Sequence, residues 1–208
     1  GINKALAGET VKWKDDVVQA GIAVTDVNTG AVIAIGAGRN RTTSQSFNFA
    51  TQARRQPGST AKPLFDYAPG IEFENWSTYQ LFTDEKWSYT NGPEVNNWDN
   101  KYSGLMTMKS ALAVSRNIPA LKAFQSLNKS KILEFVTSLG IEPEVENGFL
   151  HEAHAIGGFT GVSPLQMAVA YASFANGGYY IEPYTITKIE IRSTGEVFEY
   201  KHQKNRVI

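Results

Sequence analysis

The stretch Gln56-Pro57-Gly58-Ser59-Thr60-Ala61-Lys62-Pro63 constrains this chain more than any other. Gly58 lets the backbone turn sharply just before Ser59. A helix is predicted to begin there, with Pro63 still near its first turn, where a missing N–H is tolerated. Ser59 and Lys62 stand three positions apart and share one face of that helix. The serine then lies at a helix N-terminus, where free N–H groups and the helix dipole favour developing negative charge. A hydroxyl nucleophile, an amine that takes its proton and part of an oxyanion site are thus brought together. Taken alone, the quartet equally fits a capped helix with a surface lysine.

The rest of the chain punctuates clearly. Residues 20–38 read as a hairpin turning at Asn28-Thr29-Gly30. Residues 72–103 are rich in Asn, Asp, Trp and Tyr, lack periodicity and read as a long ordered loop carrying Trp76, Trp87 and Trp98. Thr107 opens a helix that ends near Ser115-Arg116-Asn117, and Ile118-Pro119 starts the next. Residues 130–139 are amphipathic and stop at Gly140. Ser163-Pro164 caps a helix that ends at Asn176-Gly177-Gly178. Residues 184–192 alternate as a strand, turn at Ser193-Thr194-Gly195 and pair back over 196–200. The expected class is α+β, with helices packed on an antiparallel sheet. Residues 1–19 read as a polar lead-in, ahead of one domain over 20–208.

Composition excludes several functions. Of the 208 residues, 42% are hydrophobic and 12% aromatic, which is enough for a buried core and argues against disorder. The formal net charge is zero with no basic run, so nucleic acid is not an expected partner. No cysteine is present, which rules out disulfides and thiolate metal sites within the chain. No apolar run approaches the roughly 20 residues of a membrane span. Gly36-Ala37-Gly38 lacks the third glycine of a dinucleotide loop. His151 and His154 are one residue too close for the zinc-protease helix pattern, and a loop or surface role is expected for them. Asp26-Val27-Asn28 has Ala37 where a calcium loop closes with Glu. No cofactor and no metal are expected.

A second element extends the Ser59–Lys62 reading. Ser115-Arg116-Asn117 falls at a helix–helix junction. A second hydroxyl there relays a proton to a leaving amine, and an Asn amide hydrogen-bonds both the lysine and a substrate amide. Ser-x-Asn alone reads as a plain cap or turn.

Together these stretches resemble the transpeptidase domain of class A (bifunctional) penicillin-binding proteins. The resemblance includes Val24 to Val32 in the opening hairpin, and Phe47 to Ala53 with Arg55 to Ser59 before the serine. It continues through Asn97-Trp98-Asp99, Ser163 to Ala168 and Ala175 to Gly178, over nearly all of residues 20–200. It implies the fold shared by penicillin-binding proteins and serine β-lactamases. It also implies a D,D-transpeptidase that cross-links peptidoglycan through a Ser59 acyl-enzyme and is acylated by β-lactams. Lys62 is then the base, Ser115 the proton relay and Asn117 the group orienting Lys62 and substrate, with substrate contacts at Gly58, Thr60, Trp98 and Arg116. The implied partners are peptidoglycan stem peptides and β-lactams. The implied location is the outer face of a bacterial cytoplasmic membrane, with an N-terminal anchor and a glycosyltransferase domain ahead of residue 1.

One element of the family pattern is missing. Its Lys-Thr/Ser-Gly strand has no match, since Asn28-Thr29-Gly30 and Ser193-Thr194-Gly195 lack the lysine and sit in predicted turns. The sequence is therefore expected to stop before that strand, with the remaining strands on another segment or chain. A non-catalytic penicillin sensor or fragment is the alternative that this favours. A serine β-lactamase is a second alternative, for which Glu142, Glu144 and Glu146 are the tempting residues, but they read as a solvated loop.

Overall fold

The computed structural model describes residues 1–43 and 45–208. In chain order the elements are α1 (Ile2–Leu6), β1 (Ile22–Thr25), β2 (Val32–Gly36), a 3-10 turn (Gly58–Ala61), a π turn (Pro63–Tyr67) and α2 (Ala68–Glu74). There follow β3 (Leu81–Asp84), β4 (Trp87–Ser88), β5 (Glu94–Val95), β6 (Gly104–Thr107), α3 (Met108–Ala113), α4 (Asn117–Ser126) and α5 (Lys129–Ser138). A 3-10 helix (Glu152–Ile156), α6 (Pro164–Ala175), β7 (Tyr179–Ile181), β8 (Lys188–Ile191), β9 (Glu196–Glu199) and β10 (Lys204–Arg206) complete the order. The chain divides into two compact units: Gly1–Arg54 with Leu139–Ile141 and Val162–Ile208, and Arg55–Ser138 with Glu142–Gly161.

In the first unit β1 and β2 form the expected hairpin, paired antiparallel from Ile22 opposite Gly36. Asp26 holds its turn by accepting from the N–H groups of Asn28 and Thr29. Helix α6 packs on β1 and β7 and buries Val169, Ala170 and Ser173. A capping box starts it: Gln166 N–H donates to Ser163 Oγ and Ser163 N–H to Gln166 Oε1. The segment 1–19, expected as a lead-in, makes packing contacts in this unit. Helix α1 lies against β2, where Gly36 leaves room for Ile2 and Leu6. Arg39 ties down the following residues by donating to the Asp15 and Val18 carbonyls at 2.7 Å each, with its guanidinium 4.6 Å from the Trp13 ring centre.

The second unit is mainly helical. Its apolar interior includes Leu64, Phe65, Ile118, Leu121, Phe124, Ile132 and Phe135, each almost fully buried and worth roughly 1.5–3 kcal/mol against exposure. Helix α4 packs on the π turn, on β3 and on the 3-10 helix 152–156. Residues 72–103 correct the sequence reading, because short ladders run through the expected loop. β3 pairs antiparallel with β6, and β4 with β5. Phe82 of β3 anchors this part, packed with Tyr67, Met108, Ala120 and Ala123, its ring 5.5 Å from that of Trp76. Strands of two to four residues are too short to show a period, and their polar neighbours dominate the composition.

The expected mix of helices and antiparallel sheet is present. Among the described residues the strands form five two-stranded antiparallel ladders, mixed with helices. The predicted strand 184–192 is ordered as a strand only over β8, and all of β8 and β9 is exposed. The β7–β10 pair was not foreseen.

Candidate active site

Pro63 shapes the backbone around the candidate nucleophile. Its ring offers no N–H and, in a regular α-helix, would press on the carbonyl of Ser59. The chain avoids this by running as a 3-10 turn before Pro63 and a π turn after it, where Ala68 N–H bonds the Pro63 carbonyl. Such π turns inside helices gather at functional sites. Gly58 enters the turn at φ 56°, in left-handed space that favours glycine. Ser59 is exposed, and its N–H belongs to the first turn, whose donors have no intrahelical partner.

Lys62 is fully buried, with 0% of its surface exposed. Its Nζ donates to the Ser115 carbonyl at 2.8 Å, to Ser115 Oγ at 3.1 Å and to Asn117 Oδ1 at 2.8 Å. Burial lowers its pKa from 10.5 to about 8, against an opposing pull from Asp66. A neutral amine keeps two donors for the two shorter bonds and frees a lone pair for a proton.

Ser115 reaches Lys62 with both carbonyl and hydroxyl because of how α3 ends. Thr107 caps the start of α3 by accepting from Ser110 N–H. At the other end Arg116 N–H bonds the Ala111 carbonyl and Ser115 N–H bonds the Leu112 carbonyl, the Schellman pattern. Ser115 takes its left-handed position at φ 55°, where glycine is usual. A non-glycine residue there costs about 1–2 kcal/mol.

Asn117 is the first residue of α4, and a polar network fixes its amide. Its Nδ2 donates to the Asn96 carbonyl, which leaves Oδ1 turned to Lys62, and its backbone N–H donates to Asn97 Oδ1. Asn97 Nδ2 donates in turn to Asp84 Oδ1 at 2.7 Å. Arg116 closes the network, with Nε 3.2 Å from Asp84 Oδ2, Nη1 2.7 Å from Asp99 Oδ1 and Nη2 donating to Ser103 Oγ. The Arg116 side chain is about one-tenth exposed and committed to Asp84, Asp99 and Ser103, so it holds the loop behind Asn117.

The other expected contacts differ among themselves. Trp98 is 71% exposed and anchored by Nε1 donating to the Val114 carbonyl, beside Ser115. Thr60 is exposed, and its hydroxyl donates back to the Pro57 carbonyl. His151 is exposed as expected, but His154 is buried, stacked on Phe159 at 5.0 Å with Nδ1 2.9 Å from the His151 carbonyl.

Gly157 was not anticipated. It follows the 3-10 helix at φ 77°, and a Cβ there would lie 2.2 Å from the Gly58 carbonyl oxygen. Only a glycine lets this backbone back the Ser59 turn. Asp84 and Asn96 were missed as well. The signal available was the polar cluster Asn96-Asn97-Trp98-Asp99, where Asn97 bonds Asp84 and the Asn117 N–H, and Asp99 bonds Arg116.

The arrangement presents an exposed hydroxyl at the mouth of a helix and a buried amine of lowered proton affinity on the next turn. A second hydroxyl and a fixed amide hold that amine. It is chemistry for acyl transfer through a serine ester. No cluster of three or more metal-ligating side chains occurs among the described residues.

A family model described as the penicillin binding protein transpeptidase domain matches residues 20–208. Penicillin-binding protein 1A/1B of Bacillus subtilis is 46% identical over 91% of this chain and 21% of its own length. Penicillin-binding protein 1A of Streptococcus pneumoniae is 37% identical over 96% of the chain and 29% of its own. The chain thus spans between a fifth and a third of these curated relatives. Penicillin-binding protein 1A from Haemophilus influenzae superposes with a TM-score of 0.75 at 29% identity, over 89% of this chain and 28% of that one. The fold is also that of PonA1 from Mycobacterium tuberculosis, solved with penicillin V, at a TM-score of 0.81 and 21% identity over 95% of this chain and 54% of that one.

Proposed function

The chain belongs to the transpeptidase-domain family of class A penicillin-binding proteins, and we propose that it cross-links peptidoglycan through an acyl-enzyme on Ser59. The observation that carries this reading is the buried Lys62 amine, held by Ser115 and Asn117 one turn from an exposed serine.

Ser59 Oγ attacks the carbonyl carbon between the last two D-alanines of a stem peptide, and Lys62 takes the hydroxyl proton. The tetrahedral oxyanion forms beside the Ser59 N–H, whose charge-stabilising position supports the step. A second donor is expected from the family's Lys-Thr/Ser-Gly strand. Collapse breaks the C–N bond. The proton passes from Lys62 through the Ser115 hydroxyl to the departing D-alanine nitrogen. An amine on a neighbouring stem then attacks the Ser59 ester, loses its proton by the reverse route and completes the cross-link. β-Lactams present a similar carbonyl, and opening their ring leaves a slowly hydrolysed ester on Ser59.

In this reading the protein works at the outer face of the cytoplasmic membrane, held by a segment outside these residues. No helix among the described residues is long and apolar enough to cross a membrane. The reaction is tested with the full-length protein, a D-alanyl-D-alanine-terminated stem peptide and an acceptor amine. Release of D-alanine matched by cross-linked product supports the proposal. No Ser59-dependent release overturns it.

A further inference from the structure

Asp66 lies four positions after Lys62, one turn further along, inside the π turn Pro63–Tyr67. It is fully buried, at 0% exposure. Neither carboxylate oxygen has a hydrogen-bond partner in the protein. A buried carboxyl left this way is costly, and an apolar residue would fill the position at less cost. The positive charges that favour its ionised form are Lys62 first and Lys129 of α5 second.

We infer that Asp66 is a positioning residue for Lys62: its buried carboxyl, one turn along the helix, sets how firmly Lys62 holds the proton it takes from Ser59. The inference deepens the acyl-transfer reading and rests on it for the role of Lys62. Burial alone drags a lysine far down, and an amine with too little proton affinity is a poor base. In its ionised form Asp66 works the other way and raises the proton affinity of the amine. Burial in turn raises the Asp66 pKa well above its ordinary 3.8, with Lys62 and Lys129 opposing. The two groups therefore titrate as a pair.

Few other charges face the pair. Lys129 also donates to the Phe124 carbonyl, and Glu152 of the 3-10 helix pulls on it. Lys122 of α4 is held by Glu85 and the Thr83 carbonyl. His154, packed on Phe65, has its pKa lowered by burial. Tyr67 beside Asp66 is pushed up by burial and by Asp66 itself, so it stays a neutral phenol. Glu72 and Glu74 of α2 are exposed. Asp66 is the only carboxylate among these that pulls directly on Lys62.

The test follows the Lys62 side chain by NMR in the full-length protein carrying 13C-labelled lysine, comparing wild type with Asp66→Asn and Asp66→Leu. Both variants are expected to lower the Lys62 titration midpoint by on the order of one pH unit. The acid limb of acylation by a fluorescent penicillin should move the same way. Asp66→Leu removes an unpaired buried polar group, so it guards against loss of folding in the Asn variant. Lys62 midpoints unchanged in both variants overturn the inference, even where thermal stability changes. Absence of Ser59 acylation in the wild type counts against the acyl-transfer reading alone, because the NMR titration still decides the role of Asp66.

Discussion

Lys62 Nζ donates to the carbonyl oxygen of Ser115 at 2.8 Å and lies 3.1 Å from the same residue's hydroxyl. One residue thus grips the amine with two groups. It does so only because its backbone is left-handed, at φ 55°. Such a conformation in a serine is strain that the surrounding helix end maintains.

Ser115→Gly should separate stability from activity. Glycine takes φ 55° without the Cβ penalty, so the variant is expected to be as stable as wild type or up to about 1 kcal/mol more stable. Its acylation rate should fall by about 10²–10⁴ because the relay hydroxyl is gone. Ser115→Ala should lose the same rate while keeping the strain. Urea unfolding of both variants checks this, and a Gly variant less stable than the Ala variant contradicts it.

Acylation should rise with pH through a midpoint of about 8, since only the neutral Lys62 amine accepts a proton. Below that midpoint the rate should fall tenfold per unit, and Lys62→Ala should be slow with that acid limb gone. The same shift has a sign in stability. The folded protein holds this proton less firmly than the unfolded chain, whose lysine titrates near 10.5. Between about pH 8 and 10.5 the unfolded state therefore binds more protons, and stability relative to Lys62→Met should rise across that window. Rate profiles and chemical denaturation at several pH values measure both.

Gly157→Ala should act on Ser59 through the backbone of Gly58. The new Cβ meets Gly58 backbone, which has no flexible end to yield, and φ 77° adds strain. A destabilisation of roughly 1–3 kcal/mol is expected, with slower acylation from a displaced Ser59 turn. Unchanged acylation would show that Gly157 does not position that turn.

Arg116→Ala should unfold the unit more readily than it weakens contact with substrate. It strands the fully buried Asp84, a loss on the order of 3–5 kcal/mol. Adding Asp84→Asn should recover part of that, because the two residues are coupled. Additive losses in denaturation experiments would argue against the network.

Much of this was legible in the sequence. Caps and stops carried the helices, as at Thr107, Ser163-Pro164 and Gly140, because those signals are local. The Ser115-Arg116-Asn117 junction was legible for the same reason. The short ladders over 72–103 were not, since β3 and β6 pair across the 19 residues between them, 85–103. The ion pairs of Arg116 were not legible either, because Asp84 and Asp99 come from other parts of the chain. Gly157 and Asp66 depend on close approach and burial, which spacing does not reveal.

The central claim is that Ser59 is the acylated residue. It is tested most directly by peptide mass spectrometry of the full-length protein after brief exposure to penicillin. The expected result is a mass increase of one penicillin on the peptide bearing Ser59, absent from Ser59→Ala. An adduct on any other residue, or one that persists in Ser59→Ala, would contradict the account.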